Sequence, residues 1–267
     1  MNIIVLVKQV PDMEKVKFDR EAGRIDRSSA GTEINPFDLN ALEAALQISE
    51  NTNGKVTALT MGPPQAEEAL REAIARGADE GILLTDVKFG GSDVKATSTI
   101  LSSAIQKIGK YDLIIAGIQT VDGDTGQVGA EVAGYLGIPY ISNVEEIKKY
   151  TAEYIEAVSS VWESQYLKKG KYPILITVTK DVNVPRLPSF KNKMKSRKAE
   201  ITKWSYEDLE EVLDASKIGI KGSTTKVKKI EVPQQSKREG KVYKENNEKA
   251  VEDILNVLKS CKILKEA

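Results

Sequence analysis

The residues whose types and spacing could do chemistry lie in one stretch, Tyr111–Gly129, YDLIIAGIQTVDGDTGQVG. Leu113, Ile114, Ile115 and Ala116 read as a buried strand, and Gly126–Leu136 carries Val128, Val132, Ala133 and Leu136 on one helical face. The loop between them is made of small and acidic residues. Gly117, Gly123, Gly126 and Gly129 let a backbone come close to a ligand. The first amides of the following helix have no intrahelical partner and sit at the positive end of its dipole. A pyrophosphate could bind there without a lysine.

Three further loops belong with this one. Lys8–Asp12 (KQVPD), Met61–Pro64 (MGPP) and Phe89–Ser98 (FGGSDVKATS) each follow a short apolar run that predicts a strand. In an open α/β sheet a ligand binds outside the carboxyl ends of the strands, so four such loops on one edge outline a crevice. Any one of them reads equally as a plain strand-to-helix turn. Together they favour a mononucleotide or dinucleotide pocket. The chain has no GxGxxG after its first strand and no Walker lysine motif, so neither standard phosphate fingerprint applies.

The elements that must position these loops alternate through the first 145 residues, which predicts a mostly parallel, Rossmann-like sheet with helices on both faces. Strands are expected at Asn2–Val7, Lys55–Met61 and Gly81–Leu84. Asn35 is the expected N-cap of a helix with Pro36 at its first position and Leu39, Leu42, Ala45 and Leu46 inside. Gln65–Arg76 predicts a second helix, with Glu67–Arg71 and Glu72–Arg76 pairs outside and a stop at Gly77. A third begins at Ser92 or Asp93 and turns Ala96, Ile100, Leu101, Ala104, Ile105 and Ile108 inward. After Asn143 the pattern becomes extended, at Tyr154–Val158, Val161–Leu167 and Ile174–Thr179, which predicts a hairpin added to the sheet. Val184–Pro188 breaks regular structure, and Phe190–Lys198 is a basic loop or short helix. Ser205–Leu213 opens on a Ser-x-x-Asp capping pattern. Ser216–Glu245 is polar and needs a partner or stays mobile. Ala250–Leu264 predicts a helix whose Val251, Ile254, Leu255 and Leu258 must be covered by something. The division expected is residues 1–200 for the nucleotide domain and 201–267 for a C-terminal arm and helix.

Composition narrows the chemistry. Lys plus Arg and Asp plus Glu are both 39, so a general nucleic-acid binder is disfavoured. There are no histidines and one cysteine, Cys261, which removes His-dependent triads, His–zinc sites, disulfides and Cys-ligated clusters within the chain. No apolar run reaches the length of a membrane span, and Met1–Val10 lacks the features of a signal peptide, so a cytoplasmic protein is expected.

The segments KQVPD at 8–12, INPFDLNALEAAL at 34–46, LTMGPPQAEEALREAIARGAD at 59–79, IAGIQTVDGDTGQVG at 115–129 and PRLPSFKNKMKSRK at 185–198 resemble the small (β) subunit of the electron-transfer flavoproteins over nearly the whole chain. That resemblance implies a subunit paired with a larger α subunit that carries its own FAD. In such β subunits the crevice holds AMP in conventional members and a second FAD in electron-bifurcating members. VPD at 10–12, GGSDVKATS at 90–98 and DGDTGQVG without a longer acidic insertion are similar to the bifurcating type. The implied activity is hydride uptake from NADH at the β-subunit FAD, with one electron sent to ferredoxin and the other, through the α-subunit FAD, to a flavin-dependent dehydrogenase. The alternative implied by the same family is a structural AMP and no bifurcation.

Carried onto this sequence, the resemblance places Asp122, Gly123, Asp124, Thr125, Gly126, Gln127, Val128 and Gly129 at the pyrophosphate, with Gln119 leading into that loop. It puts Leu6, Asn35 and Met61, with Gly62 after it, around the adenosine half, and Lys8, Asp12, Asp93 and Thr97 toward the flavin or NAD nicotinamide. Turn and cap chemistry is the competing reading for Asp12 and Asp93. Leu187 and Phe190 fall in the loop that docks the dehydrogenase. Val94 stands where many bifurcating members have Thr, Ile118 where they have a basic residue, and Phe190 where a Leu is usual. The last departure leaves open an acyl-CoA or a lactate-type 2-hydroxy-acid dehydrogenase. No side chain needs to act as acid, base or nucleophile, because a flavin carries the redox chemistry.

Overall fold

The computed structural model of the chain describes residues 1–12, 17–19, 24–26, 31–226, 240–244 and 247–263, the segments 17–19 and 24–26 as backbone only. They fall into two compact units, Met1–Lys228 and Lys229–Ala267.

The first unit is an α/β sandwich built on nine strands. In chain order these are β1 (Asn2–Leu6), β6 (Lys55–Met61), β7 (Glu80–Leu84), β8 (Leu113–Gly117), β9 (Tyr140–Tyr150), β10 (Tyr154–Val161), β11 (Ser164–Lys171), β12 (Ile174–Val178) and β13 (Thr202–Trp204), the numbers β2 to β5 belonging to Gln9–Pro11, Lys17–Asp19, Arg24–Asp26 and Thr32–Ile34. Their order across the sheet is β11-β10-β9-β12-β8-β1-β6-β7-β13. Seven strands, β9 to β13 in that spatial order, run parallel, and the hairpin β10–β11 adds two antiparallel strands beyond β9. The strands β2 and β5 form a small antiparallel ribbon, as do β3 and β4.

Burial on both faces explains why the central strands read as unbroken apolar runs. Ile3 and Val5 of β1 face α1 (Pro36–Thr52) and α2 (Glu67–Arg76), with Leu42, Ala45, Ile48, Leu70 and Ile74. Ile4 and Leu6 face the other way, toward α3 (Val94–Ile108) and α4 (Val128–Leu136), with Ile100, Leu101, Ile105 and Val132. One sequence thus feeds two cores through the period of two.

Several elements depart from their expected bounds for local reasons. The helix expected from Gln65 starts as a 3-10 turn, Pro64–Ala66, before α2; its Glu67–Arg71 and Glu72–Arg76 pairs form at 2.5 and 2.9 Å, and it stops at Gly77. The helix expected from Gly126 starts at Val128, because Gly126 has φ +62° and lies outside helical space. Extended structure begins at Tyr140 rather than after Asn143, and Val161 ends β10 instead of opening the next strand. The Ser205 motif closes on itself, Asp208 accepting from the Ser205 amide and hydroxyl at 2.8 and 3.0 Å, and supports only a 3-10 turn at Glu207–Leu209. Within the polar segment expected to need a partner, Ile218 is buried and residues up to 225 pack in the first unit; residues 227–239 and 245 of that segment lie outside the described residues, as does Leu264.

In the second unit α6 (Asn247–Ser260) carries Val251, Ile254 and Leu255 exposed. Among the described residues no helix is long and apolar enough to cross a membrane.

Candidate functional site

The chain leaves β1 through α1 to β6 and β7 on one side, then returns through α3 to β8 on the other side of β1. The order therefore reverses between β1 and β8, and the carboxyl ends of these two strands open a crevice of the kind in which α/β sheets bind nucleotides. The loops after β1, β6, β7 and β8 rim it, so the structure brings Lys8, Met61, Asp93 and Gln119–Gln127 to one edge.

What sets the width of the crevice is the first turn of α1, which reaches both of its walls. Asn35 is the N-cap by position, yet its side chain makes no capping bond. It spans to the β8 loop instead, donating from Nδ2 to the Gln119 carbonyl at 2.8 Å and accepting from the Val121 amide at Oδ1 at 3.1 Å. Its own amide donates to the Lys8 carbonyl at 2.9 Å. One turn on, the buried Asp38 accepts from the Lys8 amide at Oδ2 (2.9 Å) and from the Gly117 amide at Oδ1 (3.2 Å). Burial pushes the Asp38 carboxyl up to about 7, against the hydrogen bonds from Asn35, Lys8 and Gly117 and the Lys8 charge.

Asp38 was not among the expected site residues. The signal lay in INPFDLNALEAAL: the helix buries the polar residues Asp38, Asn40 and Glu43 among its apolar ones, with Asn35 buried just ahead of it. Buried polar groups require partners, and here most of them lie on neighbouring loops and strand ends. Asn40 donates to the carbonyls of Lys180 and Asn183 at 3.2 and 2.9 Å. Glu43 and Glu50 both receive the Arg186 guanidinium, with Nε to Glu43 at 2.7 Å. The same helix thus fixes Pro185–Pro188, the base of the segment that leads to α5 (Phe190–Lys198). Leu187 and Phe190 are 85% and 81% exposed, so Phe190 packs no local core.

At the mouth, Lys8 Nζ reaches Asp122 at 2.8 and 2.7 Å, linking the β1 loop to the β8 loop. Partial burial raises the Asp122 carboxyl, but the Lys8 ammonium and the Thr120 hydroxyl outweigh it and leave it below the ordinary range. The pair also offsets one of the two acidic charges in the loop. Asp124 (φ +53°) and Gly126 turn the chain, residues 121–127 are exposed, and the first intrahelical bond of α4 is Glu131 N to Gln127 O at 3.0 Å. The amides of Val128, Gly129 and Ala130 precede it, which is the donor set a phosphate takes. Gly129 is buried because α4 meets β12 there; a Cβ on it would lie 2.5 Å from Thr177 Cγ2.

The other expected residues have mixed positions. Leu6 is buried in the core beneath the crevice, with the partly buried Met61 against it, and the Gly62 amide extends the sheet to Leu84 O at 3.0 Å. Asp12 is buried at the end of β2, its amide on Gly31 O at 2.8 Å. Thr97 is partly buried in the first turn of α3. Asp93 caps α3, accepting from the Ala96 amide at 3.0 Å, and its second oxygen is taken by Thr224 and Thr225. No cluster of potential metal ligands occurs among the described residues.

Residues 22–209 match the electron transfer flavoprotein domain. The chain belongs to that family. It falls with the β subunits: the electron transfer flavoprotein subunit beta of Clostridium acetobutylicum is 41% identical over 260 residues, covering 97% of this chain and 98% of the relative. Two other family members carry longer names. The caffeyl-CoA reductase-Etf complex subunit CarD of Acetobacterium woodii is 43% identical over 229 residues, 85% of this chain and 86% of its own. The acryloyl-CoA reductase electron transfer subunit gamma of Anaerotignum propionicum is 40% identical over 264 residues, 97% and 98%.

Proposed function

We propose that this chain is the FAD-binding β subunit of an electron-bifurcating electron transfer flavoprotein, accepting hydride from NADH and serving ferredoxin and, through an FAD on the α subunit, a flavin-dependent dehydrogenase. The observation that carries the reading is the two-sided crevice at the switch point, with a phosphate-type donor set on one wall and polar loops continuing past it along the β6 and β7 ends. Loops past the phosphate donors would meet the ribityl and ring end of a flavin, which AMP lacks. The relatives named for caffeyl-CoA and acryloyl-CoA reductases support a CoA-thioester type of dehydrogenase over a 2-hydroxy-acid type.

The residues fit the group. Val128, Gly129 and Ala130 amides at the start of α4 would hold the pyrophosphate, with Gly123, Thr125, Gly126 and Gln127 shaping the loop. Leu6, Met61 and Gly62 would floor the adenosine half, and Asn35 would keep Gln119 and Val121 in register. Lys8 and Thr97 would lie along the flavin side with Asp12 behind the β2–β5 ribbon. When bound, the flavin supplies the hydride and single-electron chemistry. The protein's share is to hold the ring, to keep Asp122 neutralised by Lys8 beside an anionic ligand, and to limit water.

Asp124→Lys places a long side chain at a positive-φ position in the tight loop, and about tenfold weaker retention of nucleotide by the αβ complex is expected. Full retention after gel filtration would count against this placement. Phe190→Ala should slow electron delivery to the dehydrogenase about tenfold or more, as loss of an exposed aromatic anchor does, while anaerobic NADH reduction of bound flavin keeps its rate. Equal loss of both activities would show Phe190 to be structural. Anaerobic titration with NADH tests the function itself: bleaching of the β-site flavin is expected, and a spectrum unchanged by NADH contradicts it.

A further inference from the structure

The Asp93 carboxylate is the centre of a polar junction between the crevice rim and the chain that departs toward the C-terminus. Its Oδ1 caps α3 through the Ala96 amide at 3.0 Å. Its Oδ2 accepts from the amides of Thr224 and Thr225 at 2.7 and 2.8 Å and from their hydroxyls at 3.1 and 3.0 Å. The Asp93 amide in turn donates to Ser223 Oγ at 2.9 Å, and Ser92 Oγ accepts from the Gly219 amide at 3.1 Å. Burial works against the charge, but these donors hold the carboxyl far below its usual range.

Apolar grip on this stretch is confined to its start. Ile218 is buried in the α3-side core, and Ile220 lies over Gly91, where an added Cβ would meet its Cγ1 at 2.5 Å. From Ser223 to Thr225 there is no apolar side chain to bury; Ser223 is held through its hydroxyl, by the Asp93 amide at 2.9 Å and on the Gly91 carbonyl at 3.2 Å, and Thr224 and Thr225 are held by the Asp93 carboxylate. Helix capping alone uses one oxygen of an Asp. Four donors on the second oxygen therefore mark a built connection rather than a by-product of the cap.

We propose that Asp93 is a positioning residue that latches the base of the C-terminal segment to the β7–α3 loop, so that filling the crevice tightens the segment from 218 to 225. The coupling rests on the reading of the crevice as a FAD site; the latch does not. Asp93 thereby acts on a ligand through the rim instead of touching it.

The test is amide hydrogen exchange on the full chain in complex with its α subunit, with and without added FAD. Asp93→Asn keeps a good N-cap but turns an NH2 toward two backbone donors. Exchange at Thr224 and Thr225 should then be at least about tenfold faster, the loss expected for a charge-assisted bond. Asp93→Ser, which caps α3 with a side chain too short to reach the threonines, should do the same. In the unaltered protein FAD should slow exchange at 118–130 and at 224–225 together; in Asp93→Asn it should slow 118–130 alone. Unchanged exchange at 224–225 in both variants overturns the latch. Protection at 118–130 with none at 224–225 in the unaltered protein overturns the coupling. No protection at 118–130 overturns the crevice reading and the coupling with it, while the variants still decide the latch.

Discussion

Gly117→Ala should cost the fold about 4 kcal/mol and strip nucleotide from the crevice. A Cβ at this position would lie 2.4 Å from Asp38 Oδ1, 2.7 Å from Phe37 Cβ and 2.8 Å from the Phe37 carbonyl carbon. Neither neighbour can give way cheaply. Phe37 C is helix backbone, and Asp38 is held from the other side by the Lys8 amide at 2.9 Å. Relief requires the first turn of α1 to retreat from β8, which breaks the Gly117–Asp38 bond at 3.2 Å and drags Asn35 from Gln119 and Val121. Overpacking of about 1–3 kcal/mol adds to about 1–3 kcal/mol for a buried group left without its partner. Against a typical total of about 5–15 kcal/mol, that is a large fraction. Gly134→Ala in α4 is the matched control: nothing lies within 4 Å of its Cβ position, and alanine there should stabilise by about 0.5–1 kcal/mol. Urea midpoints and bound nucleotide of the two variants measure both effects. A Gly117→Ala protein within 1 kcal/mol of the parent, about one typical substitution, with full nucleotide would show that the brace does not exist.

The second large effect is a dependence of stability on pH that belongs to Asp38 alone. Its carboxyl titrates near 3.8 when the chain is unfolded and at about 7 when it is folded. Between those values the folded state binds the extra proton, so stability falls as pH rises from about 4 to about 7 and levels above. The whole window amounts to about 4 kcal/mol, and about 2 kcal/mol of it lies between pH 5 and 7. Carboxylates held below their ordinary range, such as Glu43 and Asp122, contribute with the opposite sign, being lost on acidification. They are common to both proteins when the parent is compared with Asp38→Asn, which does not titrate. The stability difference between the two should therefore shift by about 2 kcal/mol in favour of Asp38→Asn from pH 5 to pH 7. A difference that stays constant would place the Asp38 pKa in the ordinary range. The charged form accepts at both oxygens, from Lys8 and from Gly117, whereas protonation leaves one oxygen a poor acceptor. Nucleotide should accordingly be held more loosely below pH 7.

The parts of this architecture that follow from periodicity were legible in the sequence. The apolar runs of β1 and β8 report burial on two faces, and the stripe and Gly77 stop of α2 report one face and one end. The four crevice loops were legible for the same reason, since they are what remains between such elements. Side chains acting across the sequence were not legible. Asn35 looked like a cap and is a bridge to residue 119, and Asp38, which drew no expectation, holds positions 8 and 117. Asp93 read as ligand-facing or as a cap; it is a cap whose second oxygen reaches residues 224 and 225. These partners lie 30 to 132 positions away, and no local pattern encodes them. Strand β13 was missed because Thr202–Trp204 is three residues long and pairs only with the edge of β7.

The central claim is that the crevice between β1 and β8 takes a whole flavin dinucleotide. The most direct measurement is the nucleotide content of the purified complex with the α subunit, released by denaturation and counted against protein. Two FAD and no AMP per αβ pair is the predicted result. One FAD with one AMP would contradict it and leave the chain a structural subunit of a conventional electron transfer flavoprotein.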